Sequence, residues 1–292
     1  MAREQWTGKT YGNDRMHRHL VWVLSKLDRR ILYVVSNLFI VPVSILVNPS
    51  RKSSYRFFRD ALHYGRLKAA WHCYLNHCKF SEVVIDRFAM YAGRKFETEV
   101  VGLDIFENHA ARPEGFLMLS SHIGNYEIAG YSLVSERKCI RPLVFAFEKE
   151  SVMRNRNNMF AGTNVQMIAL EEDMSHLFEI DRTLTEGNIV SCPTDRFMGQ
   201  TRCVEREFFG RNAKFPLGPF SIATMRGLDA LAVNVMKKGW SKYIIYVSEL
   251  PYDRSLSRKE QIRQLSCAYV SELETRLRQY PDQWYNFYDF WK

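Results

Sequence analysis

The sequence predicts an α/β fold: a central mixed sheet flanked by helices, preceded by a hydrophobic helical region. Three observations carry that reading. From residue 96 onward, short apolar runs rich in β-formers alternate with segments of helical length. Before residue 95 the apolar residues fall at helical spacing instead, and one stretch of 17 positions holds no charge. No Gly, Ser or Pro tract and no repeat of solenoid period interrupts the 292 residues. One α/β domain, 96–292, therefore follows an N-terminal helical, membrane-associating region, 1–95.

In chain order, the uncharged stretch is ILYVVSNLFIVPVSILV, residues 31–47, between Arg29, Arg30 and Arg51, Lys52. As a helix it reaches roughly 25 Å, against the about 30 Å of a bilayer core, and Pro42 and Asn37 weaken a spanning assignment. Basic flanks on both sides and the lack of a small-residue cleavage site argue against a signal peptide. Partial insertion from the cytoplasmic side and a buried helix pair are the two readings. Helical spacing continues through AAWHCYLNHCKFSEVVIDRFAMYAG, which Gly93 is expected to end.

The strands expected next are FLMLSS (116–121), RPLVFAF (141–147), VQMIAL (165–170), GNIVSCP (187–193), LDALAVNVM (228–236) and KYIIYVSEL (242–250). YEIAGYSLVSE and EEDMSHLFEIDRTLTE read as helices between them. In such sheets, sites form beyond the carboxyl ends of strands. His122 stands at one.

Four of the eight histidines have an acidic residue five positions on: His77 with Glu82, His109 with Glu114, His122 with Glu127, and His176 with Asp181. Residues five apart in a continuous helix point about 140° away from each other, which separates the first and last pairs. His109 and Glu114 flank Pro113 in a polar loop. Only His122 follows a buried-strand pattern, with Gly124 to permit a tight turn and a helix starting near Asn125 to carry Glu127. A carboxylate so placed would orient the imidazole as a general base; a core histidine satisfied by a neighbour is the competing reading.

The cluster HCYLNHC, with His72, Cys73, His77 and Cys78, has one turn of metal-ligand spacing but no second pair elsewhere, so buried thiols and helix-face histidines are expected, and no metal. The six scattered cysteines suit a reducing compartment. The net charge of +9, spread over runs such as RKSSYRFFRD and RNRNN, favours an acidic partner: an anionic membrane surface, a phosphorylated substrate or an acidic carrier protein. Nucleic acid is disfavoured, because no recognition module accompanies the dispersed basic residues. Ser120 and Ser121 beside His122 raise a hydrolase, against which the Gly-x-Ser-x-Gly elbow is missing. A membrane scaffold without catalysis is the non-enzyme alternative.

LMLSSHIGNYEIAG resembles the His-x4-acid block of the lysophospholipid acyltransferase superfamily, with the Gly-Asn-aromatic-Glu filling of the late lipid A acyltransferases, the lauroyl and myristoyl transferases of Gram-negative bacteria. CPTDRFMGQTRCVEREFFGRNAKFPLGPFSIA (192–223) resembles that family's second signature, and YPDQWYNFYDFWK (280–292) its closing Pro-x-x-Trp segment. One departure is Asp195, Arg196, Phe197, where those enzymes often show Asp-x-Asp; it leaves the acceptor open. The resemblance implies an inner-membrane enzyme on the cytoplasmic face, moving an acyl chain from acyl carrier protein or coenzyme A to a hydroxyl or amine of a lipid or lipid precursor. It implies no cofactor. His122 would be the general base and Glu127 its orienting partner. Asn125 would hold the turn, donate to the oxyanion or cap the helix. Asp195 and Arg196 would close the site, and Arg154, Arg156, Arg211 and Lys214 would meet phosphates or stay solvated. FPLGPFSIA would line an acyl channel or pack in the core. An amino-acid lipid, a pigment and a polyketide stay open as acceptors.

Overall fold

The structure, a computed structural model, describes residues 13–145, 150–170, 174–196 and 202–291. Phe197, the end of the 141–147 run and the start of the 171–186 helix lie outside them. Strands β1 (Glu97–Val101), β2 (Phe116–Ser120), β3 (Ile140–Phe145), β4 (Ile168–Leu170), β5 (Ile189–Pro193), β8 (Ala230–Lys237) and β9 (Lys242–Glu249) form a sheet in the order β1-β9-β8-β2-β5-β3-β4. All pairings are parallel except β8 with β9, so the sheet is mixed as expected. Each of the six expected strands is present. β2 and β8 are buried at every position, which is why both read as continuous apolar runs without alternation.

The pleat divides their side chains between two cores. Leu117, Leu119, Ala230 and Ala232 pack with Phe208, Phe215, Phe220, Tyr269 and Leu273. Phe116, Met118, Leu231 and Val233 pack on the other face with Phe88, Ala89, Phe106 and Ile128. Helices Arg66–Tyr91 and Leu103–Ala111 supply the second face, and Leu217–Arg226 and Arg258–Gln279 the first. Gly93 ends the long helix as expected: at φ +82 it lets Gly93 and Arg94 donate back to the carbonyls of Met90 and Ala89.

Two expectations change. Residues 126–136 form only a 3-10 turn, Tyr126–Ile128, and a four-residue helix, Ala129–Ser132. Ser135 Oγ accepts from the Arg137 and Lys138 amides, giving that backbone a turn in place of a helix. The 192–223 segment holds a hairpin, β6 (Cys203–Phe208) with β7 (Arg211–Pro216), turning at Phe209 and Gly210, both at positive φ.

Residues 29–47 form one helical run that passes through a π segment, Ser36–Ile40. Pro42 has no N–H, and the wider register lets Val41 donate to the Ser36 carbonyl just ahead of it. The buried helix pair is not what forms. Phe39 is 67% exposed and Leu46 75%, and within the run Tyr33, Ser36 and Val41 face inward. The Asp86 carboxylate, wholly buried, ties this region to the sheet by accepting from Tyr33, Tyr243 and Lys237.

Candidate active site

β2 and β5 are parallel neighbours with Ser120 opposite Pro193. Two residues further along each chain stand His122 and Asp195, so the register alone brings them abreast. The Asp195 carboxylate receives both the His122 backbone N–H, at 3.0 Å, and its ring, Nδ1 to Oδ1 at 2.7 Å. Tyr269 donates to the Ser120 carbonyl, and Thr194 donates to that same oxygen, locking the two strand ends together.

Burial and Arg196 hold the His122 imidazole below its usual pKa range, and Asp195 opposes them only in part. Burial pushes the Asp195 carboxyl up, but His122 and Arg196 outweigh it and keep the group ionised. An ionised acceptor at Nδ1 puts the ring proton there and leaves the Nε2 lone pair to take a proton. That is the charge arrangement of a general base.

Glu127 as the orienting partner is therefore corrected. The turn at Gly124, φ +54, runs so close to β8 that a Cβ there would lie 1.7 Å from the Val235 carbonyl oxygen. Asn125 N–H bonds that same oxygen, at 2.9 Å. Past this point the 3-10 turn directs Glu127 toward the helices Arg66–Tyr91 and Glu150–Phe160. There it accepts from Arg156, at 2.6 and 3.2 Å, and from the Tyr91 hydroxyl, at 2.9 Å, and pairs with Arg87 at 3.0 Å. Burial raises the Glu127 carboxyl, yet Arg156 and Arg87 bring it below the ordinary range. The cluster is one carboxylate against two buried guanidiniums, a local positive charge whose Arg87 also depresses the His122 pKa.

His77 and His109 each place Nδ1 2.8 Å from a carbonyl one turn back, and Asp181 pairs with Arg226. In HCYLNHC, His72 bonds Asp282 at 2.6 Å and the Cys73 thiol reaches the Arg51 carbonyl.

Of the remaining candidates, Arg196 joins the site by donating to the Tyr285 carbonyl at 3.0 Å. Arg156 belongs to the Glu127 cluster. Arg154 lies apart, paired with Asp14 at 2.8 Å on the surface, and Lys214 is exposed on the hairpin. Arg211 stacks on the Trp291 ring at 4.8 Å. Asn125 does not cap the helix with its side chain, which is fully buried beside Met90; its backbone holds the turn. Of FPLGPFSIA, Phe215, Phe220 and Ala223 pack in the core. Ser121 Oγ is bound to Asn234 Oδ1 at 2.8 Å, away from a nucleophile's role.

The closing aromatic segment completes the site. Tyr285 N–H donates to the His122 carbonyl, Ile123 bridges Trp284, and Gly124 donates to Gln283. Trp284 Nε1 lies 3.4 Å from Asp195 Oδ2. Asn76, on the long helix, holds the carbonyls of Asp282 and Trp284 at 2.9 Å. Arg87, Tyr91 and Asn76 were not singled out from sequence, since on a long helix they read as ordinary polar positions.

Residues 88–292 match the sequence pattern described as "Bacterial lipid A biosynthesis acyltransferase". The chain belongs to that family. The matched span holds His122, Asp195, Glu127 and the closing aromatic segment, and it excludes the exposed apolar helix. Among curated proteins, the phosphatidylinositol mannoside acyltransferase of Mycobacterium tuberculosis (strain ATCC 25618 / H37Rv) is 23% identical over 147 residues, 50% of this chain and 46% of that one. The match thus spans about half the length of this relative. Among solved structures, the 1-acyl-sn-glycerophosphate (LPA) acyltransferase from Thermotoga maritima aligns over 94% of this chain and 100% of its own, at 13% identity and a TM-score of 0.41.

Proposed function

We propose that the protein transfers a fatty acyl chain from a thioester of acyl carrier protein or coenzyme A to a hydroxyl or amine of a lipid or lipid precursor. The observation that carries this is the His122–Asp195 contact of 2.7 Å at adjacent strand ends, in a chain of the lipid A acyltransferase family. His122 Nε2 takes the proton of the acceptor O–H or N–H as that atom bonds the thioester carbonyl carbon. The tetrahedral intermediate then collapses, the C–S bond breaks, and the imidazolium returns its proton to the thiolate. Asp195 holds the ring and stabilises the imidazolium without taking the proton. No cofactor beyond the donor is called on.

The exposed apolar face of residues 29–47 supports work at a membrane, for which the bacterial inner membrane, cytoplasmic face, is the reading that suits a cytosolic thioester donor. The net charge of +9 suits an acidic carrier protein as donor. The test is transfer of a labelled acyl chain from each donor to a panel of lipid acceptors by the detergent-solubilised chain. Turnover that persists in folded His122→Ala protein would overturn the assignment.

A further inference from the structure

HCYLNHC also holds Asn76, a buried side chain one turn after His72 on the helix Arg66–Tyr91. Its Nδ2 donates to the carbonyls of Asp282 and Trp284, each at 2.9 Å, and its Oδ1 accepts from Ser54 Oγ at 3.0 Å. Carbonyls only accept, so the position calls for an amide nitrogen with two hydrogens. A carboxylate or an alkyl side chain there would withdraw both donors. Asn76 lies outside residues 88–292, the span that the family pattern matches.

The backbone is extended at Trp284, so its two edges face different neighbours. One edge pairs with the turn after β2: Gly124 N–H donates to the Gln283 carbonyl, and Tyr285 N–H to the His122 carbonyl. On the other edge Asn76 stands where a neighbouring strand would supply donors. Trp284 Nε1 is 3.4 Å from Asp195 Oδ2, and the Tyr285 carbonyl accepts from Arg196 at 3.0 Å. The His122 backbone, its carboxylate and the guanidinium beside it therefore all bear on residues 284 and 285. We propose that Asn76 is a positioning residue for the His122 base, fixing the outer edge of 282–284 so that Trp284 stays on Asp195 and Arg196 stays beside the ring. The assignment rests on the acyl-transfer reading in taking His122 as the base.

Loss of the two donors has one sign at the ring. The groups facing His122 are Asp195, Arg196, Arg87 and the Tyr126 ring at 5.8 Å. Burial, Arg196 and Arg87 lower the imidazole pKa, and Asp195 raises it. Water admitted beside a loosened segment, a displaced Arg196 and an Asp195 freed from the Trp284 N–H would each move it up.

The experiment is NMR titration of the histidine-labelled full chain in detergent, with the His122 signal assigned from His122→Ala and acyl transfer measured on the same preparations. In Asn76→Leu the His122 pKa should rise by roughly 0.5 or more, and the acidic limb of turnover should move toward alkaline pH. Its kcat should fall on the order of 10-fold with KM nearly unchanged, since a small misplacement of the base slows the chemical step. Ser54→Ala takes a hydrogen bond from the same buried amide but leaves both N–H donors in place. It should lower the thermal midpoint and leave the His122 pKa and kcat near wild type. Asn76→Ala serves where Asn76→Leu fails to fold. An unmoved or lowered His122 pKa in a folded Asn76 variant, wild-type kcat in that variant, or an equal shift in Ser54→Ala would each overturn the proposal. The titration needs no substrate. Absence of acyl transfer from the wild-type chain on every acceptor would sink the proposed function, and the His122 pKa would still decide whether Asn76 acts on the ring.

Discussion

His122 and Asp195 are 73 residues apart in sequence and joined twice, by backbone N–H and by ring nitrogen, through one carboxylate. The contact follows from the register of β2 against β5, and it makes Asp195, with its carboxylate at the ring, the group on which the proposed base depends.

Asp195→Asn should therefore lower acyl transfer by about 10²- to 10⁴-fold with the fold retained, since an amide oxygen can still accept from the ring but no longer stabilises the imidazolium. His122→Ala should abolish transfer, and the double variant should be little worse than His122→Ala alone. His109→Ala and His176→Ala should keep most activity. Turnover assays on purified variants check all five.

The pH profile has a definite sign. Because the His122 pKa is lowered, the base stays neutral at and below the ordinary histidine range, so the acidic limb of the rate should fall below about pH 6.5. Removing the Asp195 charge takes away an effect that raises that pKa, so the limb in Asp195→Asn should move further toward acid. A limb moving toward alkaline pH would contradict the geometry.

Glu127→Gln should act mainly on stability. It leaves Arg87 and Arg156 buried without their anion, at a cost of about 3–5 kcal/mol by denaturant unfolding. Adding Arg156→Met should restore part of that loss, because one of the two stranded guanidiniums is then gone. The wild-type Glu127 carboxyl has a depressed pKa in the folded state, so its contribution is present above the unfolded value and is lost as pH falls through the folded one.

Gly124→Ala should destabilise by about 3–5 kcal/mol, since the new methyl meets the Val235 carbonyl at a backbone angle that favours glycine. A circular dichroism melt of the variant tests it.

The apolar run should anchor the chain. High salt should release it from membranes only in part, because apolar insertion is not screened. Phe39→Lys with Leu46→Lys should shift the protein to the supernatant in a sedimentation assay, each side chain forfeiting about 1.5–3 kcal/mol of burial.

The sequence by itself determined six of the nine strands among the described residues, leaving out Glu97–Val101 and the two hairpin strands, together with where the long helix stops and which histidine sits at a strand end. Those are local matters: the apolar runs of β2 and β8 and the positive φ at Gly93 are written in a few adjacent residues. It also determined the family, through blocks that lie along one chain, and the alternation in CVEREFFGRNAKFP was there to be read as a hairpin. The tertiary structure alone decided which carboxylate serves the imidazole. Glu127 lies five positions from His122 and Asp195 seventy-three, and proximity in sequence favoured the wrong one. Parallel pairing of β2 with β5 erases the longer separation, while the Gly124 turn, pressed against Val235, sends the nearer acid to Arg87 and Arg156. Those arginines stand on two helices whose approach no local pattern encodes, because it is set by how both pack across the face of the sheet.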